Sequence, residues 1–284
     1  MEKLNYSFQV DSDIVNYVYN NHDNYLIEST DSNLNEKICA IYFSSNNLYF
    51  PNSEEVFCEE IVRKNKFEWY KCRYESASKH IFIRDVKKQW YLEGINSKIN
   101  NYEMLLEFLT QETNGYRIVM IGSSAGGFAS VLLGQLLKAE KILSFNGQFL
   151  VSDLLDTSNE ITNPIVFRNR NNKSISKYFS VIDYINNPLS IFYFYSKNSP
   201  WDKFNREHVE ELDINVVAFF TSHHGIPFVK SCLPRVINMP NEGLLLLSKK
   251  LHNPLIFSYR IEGVGFLKTL IKQVYSSVKR KIHK

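Results

Sequence analysis

No stretch of this chain approaches the roughly 20 consecutive apolar residues that a bilayer-spanning helix requires. Its first ten residues, from Met1 to Val10, lack the basic start and apolar run of a secretory leader. A cytoplasmic protein is therefore expected, with peripheral contact at the inner face of the membrane as the furthest alternative. Cysteine is scarce: residues 39, 58, 72 and 232 include no pair at the spacing of a metal knuckle or redox motif. Neither a disulfide scaffold nor a metal site is expected, and Cys39, inside an apolar run, reads as a small buried hydrophobe. A strong charge of one sign is missing too. The net charge of +3 gives no reason to expect nucleic acid. Phosphate-binding fingerprints are absent, because Gly122-x-Ser124-x-Gly126-Gly127 has neither the P-loop nor the GxGxxG spacing. With no internal repeat and no low-complexity linker, residues 1–284 read as one domain.

What is present is an alternation of short apolar runs with helical patterns. Strands are expected over Glu36–Ser45, Phe67–Tyr74, His80–Arg84, Arg117–Ile121, Lys141–Phe145, Leu189–Tyr195 and Ile214–Thr221. Helices are expected over Asn100–Thr110, with Tyr102, Leu105, Leu106 and Leu109 at helical spacing, and over Ala125–Leu137. Strands separated by helices predict an α/β fold with a mostly parallel sheet between helical layers. The Asn-rich segment 149–188 holds a further candidate helix near Ser176–Tyr184. It reads as a cap or insertion over the carboxyl ends of the strands, where open α/β sheets bind ligands. At the other end, 264–284 carries Ile271, Val274, Tyr275, Val278 and Ile282 among Lys272, Lys279, Arg280, Lys281 and Lys284. A basic helix docked on the domain, or resting on an anionic membrane, is expected there.

Gly122-x-Ser124-x-Gly126 follows an apolar strand and opens an amphipathic helix. A strand that turns sharply into a helix exposes the central serine above the sheet, and the flanking glycines avoid clashes with neighbouring backbone. Ser124 is the candidate nucleophile, and the Ala125 N–H that follows it is the first oxyanion donor. The second donor should come from Ser44-Ser45-Asn46 after the first long strand, with Ser45 the candidate; the glycine-rich HGGG version is absent. A serine nucleophile needs an imidazole base and a carboxylate to orient it, in the chain order Ser, acid, His. Of seven histidines, His223 and His224 lie just beyond the last strong strand, where the base belongs. Gly225 favours His224, and His223 is the alternative. Asp202 follows the preceding strand and is the candidate acid, with N-capping of a helix near Lys203 as its other reading.

The stretches Gly122–Ser130, Tyr195–Asp202 and Ser222–Phe228 resemble a bacterial family of α/β-hydrolase-fold O-acetyltransferases of capsule and surface polysaccharides, of the meningococcal serogroup A type. The resemblance runs from about Ile38 to Val236. It implies a Ser-Asp-His triad at Ser124, Asp202 and His224 that moves acetyl from acetyl-CoA to a hydroxyl of a bacterial polysaccharide. A related accessory-secretion type extends the acceptors to protein-linked glycans, and the resemblance also implies peripheral contact with capsule-assembly proteins. Under this reading Arg168, Arg170 and Lys173, near Tyr178 and Phe179, would meet a phosphate-bearing polysaccharide or coenzyme A, though a solvated loop over core aromatics accounts for them equally. Arg84-Asp85 and Gln89–Gly94 also look family-like: Asp85 would orient a site loop, Arg84 would meet cofactor phosphates, or the pair forms a structural corner. A carbohydrate esterase and a non-catalytic glycan-binding or secretion-accessory protein are the competing functions.

Overall fold

The computed structural model describes residues 8–30, 37–267 and 271. Eight strands form one sheet: β1 (Tyr25–Ser29), β2 (Ile38–Phe43), β3 (Lys79–Ile83), β4 (Arg117–Ser123), β5 (Lys141–Phe145), β6 (Ile191–Ser196), β7 (Asn215–Phe219) and β8 (Leu251–His252). Their order is β1-β3-β2-β4-β5-β6-β7-β8, and only β1 runs antiparallel to its neighbour. A mostly parallel sheet flanked by helices is an α/β-hydrolase-type fold, as its sequence pattern predicts.

The alternation of side chains along each strand divides the core in two. Cys39, Ile41, Met120, Ile142 and Tyr193 face one layer, packed with Leu105, Leu109, Phe128 and Leu132 from helices Tyr102–Glu112 and Ala125–Leu136. Tyr42, Val119, Leu143, Phe194 and Val217 face the other, against Val236, Leu244 and Phe257. Both faces are covered, which is why β2 is apolar at every position and wholly buried.

Two elements depart from the sequence expectation. Phe67–Tyr74 is not a strand: Tyr70 and Cys72 donate to the carbonyls of Phe67 and Trp69, closing successive turns. Its alternating Phe67 and Trp69 are buried, but by turns folded onto the outer layer. The segment near Ser176–Tyr184 is a short helix, Lys173–Ser176, and a separate single turn, Ile182–Tyr184. Strands β1 and β8 were not expected, because β1 lies in a polar stretch and β8 has only two residues. The basic helix expected over 264–284 falls largely outside the described residues. Among those described, no helix is long and apolar enough to cross a membrane.

Candidate active site

Parallel neighbours end at the same edge of the sheet, so the loops after β2, β4, β5, β6 and β7 gather there. Phe43 pairs with Gly122, Ser123 with Phe145, Phe145 with Phe194, and Ser196 with Phe219. Ser124 stands at the turn from β4 into helix Ala125–Leu136 with φ 51° and ψ −122°, a costly conformation for a residue with a side chain. The two glycines explain how it is tolerated. A Cβ on Gly122 would lie 2.1 Å from the Gly126 carbonyl oxygen, and one on Gly126 would lie 2.3 Å from that of Phe43. Only bare backbone fits this close, and the crowding drives the serine upward.

The structure brings Ser124, His224 and Asp202 together from positions up to 100 residues apart. His224 Nε2 lies 2.9 Å from Ser124 Oγ, and its Nδ1 lies 2.7 Å from Asp202 Oδ1. Because a carboxylate accepts at Nδ1, that nitrogen carries the hydrogen and leaves Nε2 free to take the serine proton. Asp202 is 1% exposed. Ser199, not Asp202, caps helix Pro200–Glu207, accepting from the Asp202 N–H at 3.4 Å. Trp201 lies against the other side of the imidazole, with ring centroids 4.9 Å apart and planes 22° from parallel. The His223 ring joins neither hydrogen bond; its carbonyl instead accepts from Ser196 Oγ at 2.6 Å. Desolvation, then Lys230 and His224, lower the His223 pKa.

A cleft of about 910 Å³ opens above the serine, lined among others by Ser45, Asn46, Glu68, Trp90, Leu154, Asn163, Trp201, His224 and Lys230. The Ala125 N–H finds no acceptor among the described residues, as an oxyanion donor requires. Ser45 differs from expectation. Its N–H donates to Glu68 Oε2 at 2.6 Å and its hydroxyl to Glu68 Oε1 at 3.0 Å, so this N–H is already engaged. The next N–H, that of Asn46, has no acceptor among the described residues and belongs to a residue lining the cleft. Glu68 escapes the sequence reading because Phe67–Tyr74 looks like a strand.

Asn146 and Gln148, just past β5, are also invisible to the search for an acid, a base and a nucleophile. Buried Asn146, at φ 46°, donates from Nδ2 to Gly225 O at 2.6 Å and accepts from Ser196 N–H at 2.8 Å. It ties the His224 loop to β6. An Asn-Gly pair at a strand end is the one sequence signal for it, since Asn tolerates left-handed backbone.

The cations expected of the insertion point elsewhere. Arg168 pairs with Asp11 and Glu160, and Arg170 lies over Phe167. Tyr178 and Phe179 are buried in the core. Arg84 is buried, donating to Asn24 Oδ1 at 3.1 Å and Lys66 O at 3.2 Å, and does not line the cleft. Among the described residues no group of three or more His, Cys, Asp or Glu could hold a metal.

No family model and no curated protein matches the chain. Among solved structures it is similar to a capsule O-acetyltransferase of Neisseria meningitidis serogroup A, at 14% identity and a TM-score of 0.45, covering 68% of this chain and 81% of that one. A glycosylation associate protein complex from Streptococcus agalactiae is similar at 12% identity and 0.44, covering 68% of this chain and 38% of the other. An S-formylglutathione hydrolase from Staphylococcus aureus is similar at 10% identity and 0.45, covering 76% and 87%. At such identities the chemistry has to be read from this chain's own residues.

Proposed function

We propose that this chain is a serine acyl hydrolase that cleaves esters through an acyl-Ser124 intermediate. The observation that carries the reading is the unbroken hydrogen-bond chain from Asp202 through His224 to Ser124 at the floor of the cleft. In the first half-reaction, the Ser124 proton passes to His224 Nε2 as Oγ bonds to the acyl carbon. Asp202 holds the Nδ1–H and stabilises the resulting imidazolium. The Ala125 N–H and the free Asn46 N–H meet the oxygen on which charge develops. Nε2 then returns the proton to the leaving group as its bond breaks. In the second half-reaction, water gives a proton to Nε2 as its oxygen bonds to the acyl carbon. The Oγ–acyl bond then breaks as Nε2 returns that proton to Oγ, regenerating Ser124 and neutral His224 and releasing the acid. The His224 side chain is 31% exposed, so water reaches the base directly.

A second reading, acetyl transfer from acetyl-CoA to a glycan hydroxyl, uses the same acyl-enzyme with a sugar hydroxyl replacing water. Its support is Trp201, exposed and lining the cleft, because an aromatic face packs on a sugar ring. Lys230 is the cleft-lining cation able to meet an anionic group of donor or acceptor. Purified protein offered p-nitrophenyl acetate, acetylated glycans, and acetyl-CoA with unacetylated glycans separates the readings. Acetate release from esters supports hydrolysis, and acceptor-dependent coenzyme A release with matching sugar acetylation supports transfer. Ser124→Ala should abolish either activity and labelling by a fluorophosphonate while leaving the circular dichroism spectrum unchanged. Retention of most activity in that variant rules out the acyl-serine route.

A further inference from the structure

The turn after β3 is built at considerable conformational cost. Lys88, Trp90 and Tyr91 have φ of 55°, 53° and 59°, three non-glycine residues in left-handed backbone within four positions. The buried Asp85 carboxylate holds the turn in place, accepting the N–H groups of Lys87 and Lys88 on Oδ1, both at 3.0 Å. Those of Gln89, at 2.7 Å, and Tyr91, at 3.0 Å, reach Oδ2. Tyr102 fastens it from below, its hydroxyl donating to Trp90 O at 2.5 Å. Tyr91 reaches the other way, donating its hydroxyl to Ser44 O at 2.8 Å beside the oxyanion loop.

The strained backbone aims one group at the site. Trp90 Nε1 donates to Gln148 Oε1 at 3.0 Å, and an indole N–H can only donate. This contact fixes which end of the Gln148 amide is oxygen and which is nitrogen. The nitrogen therefore faces two acceptors, Ser124 Oγ and Asn146 O, each at 3.4 Å. Turning the amide over would set its oxygen against the Asn146 carbonyl and leave the indole hydrogen without a partner. Gln148 is 1% exposed and lies outside the cleft lining, so it approaches Oγ from behind, away from the substrate.

We propose that Gln148 is a catalytic hydrogen-bond donor to the nucleophile, with Trp90 and the Asp85 turn as the positioning residues that orient its amide. Resting on the acyl-serine reading, this assigns the second hydrogen bond of Ser124 Oγ. As the hydroxyl proton leaves for His224 Nε2, the Gln148 Nε2–H stabilises the negative charge growing on Oγ. It does so again when Oγ becomes the leaving group of deacylation. The Gln148 proton itself is not transferred. A contact of 3.4 Å in the resting enzyme shortens as the oxygen gains charge, because hydrogen bonds to charged acceptors are shorter and stronger.

The test uses the full chain and a fluorophosphonate probe, whose second-order labelling rate reports the reactivity of Oγ. Gln148→Glu keeps the acceptor for Trp90 but removes the amide donor, and Gln148→Met removes both. Each should slow labelling and lower kcat for p-nitrophenyl acetate by about 10- to 100-fold with KM unchanged. The melting temperature of each variant establishes that the compared proteins are folded. If either folded variant labels Ser124 within twofold of the wild-type rate, the proposal is overturned, and a rise in KM alone overturns it equally. Should both Gln148 variants fail to fold, Trp90→Phe carries the test, since it leaves the glutamine but frees its amide to turn. Labelling at the wild-type rate in folded Trp90→Phe defeats the proposal, and slowed labelling supports it. Failure of the wild-type protein to label at Ser124 overturns the acyl-serine reading itself and this assignment with it.

Discussion

Asp202 carries the heaviest electrostatic demand of any single side chain in the site. One oxygen meets His224 Nδ1, while Oδ2 is buried without a partner among the described residues. The Tyr193 hydroxyl is likewise buried and unpartnered, and its pKa is held well above the usual phenol value by burial and then by the Asp202 charge. A carboxylate this poorly solvated is costly to bury, and it becomes worthwhile when a positive imidazolium forms beside it. Asp202→Asn preserves the shape but offers an amide that can hold the wrong tautomer of His224. It should lower kcat by about 10³- to 10⁴-fold with little change in KM. Steady-state kinetics check this, and a loss below about 10-fold would reduce Asp202 to a structural residue.

At the scale of the elements, the site depends on loops that adjacent strands deliver to one edge and polar side chains then fasten. Asn146 is the main fastening between the end of β5, the end of β6 and the His224 loop. Replacing it leaves the Ser196 N–H without a partner in a buried setting, where an orphaned group costs about 1–3 kcal/mol, and removes the half-buried bond to the Gly225 carbonyl. Asn146→Gly tolerates the left-handed backbone and so isolates the lost amide contacts. We expect it to lower unfolding free energy by about 2 kcal/mol and to slow ester turnover at least several-fold. Urea unfolding and steady-state kinetics measure the two effects, and an unchanged kcat would show that the loop holds His224 without this tie. Glu68 fastens the neighbouring loop in the same manner through Ser45, which leaves Asn46 as the residue with the free N–H.

Over the whole molecule, two buried lysines make stability depend on pH. Burial lowers the pKa of Lys88 to about 7 and that of Lys141 to about 8, from 10.5 in both cases. Their ammonium groups donate to the carbonyls of Tyr49 and Met239. Between the folded and unfolded values the unfolded chain binds more protons, so unfolding free energy rises with pH. The penalty is fully present below about pH 7 and fades toward pH 10. Above pH 10 the trend reverses, because Tyr49, Tyr91, Tyr102 and Tyr193 are held protonated by burial while unfolded phenols ionise. Melting temperature should therefore climb between pH 7 and 9.5, and Lys141→Met should flatten part of that climb. A melting temperature that falls across this interval contradicts the assignment.

The amino-acid sequence by itself determined the elements whose signals are local. A strand buried on both faces is apolar at every position, as in Ile38–Phe43, and the crowding at Gly122 and Gly126 admits only glycine. A nucleophile, an acid and a base in that chain order belong at the ends of successive strands, which singles out Ser124, Asp202 and the adjacent pair His223 and His224. Tertiary structure alone decided which of two adjacent histidines turns inward, because that depends on Asn146 and Ser196 gripping the loop around it. It decided that Phe67–Tyr74 folds into turns, since burial by a helix layer and burial within a sheet leave the same apolar alternation. Tertiary structure also set Glu68 on the Ser45 loop and the Gln148 amide beside Ser124. An amide or a carboxylate has no periodicity, and its partner is fixed only when distant backbone comes within about 3 Å.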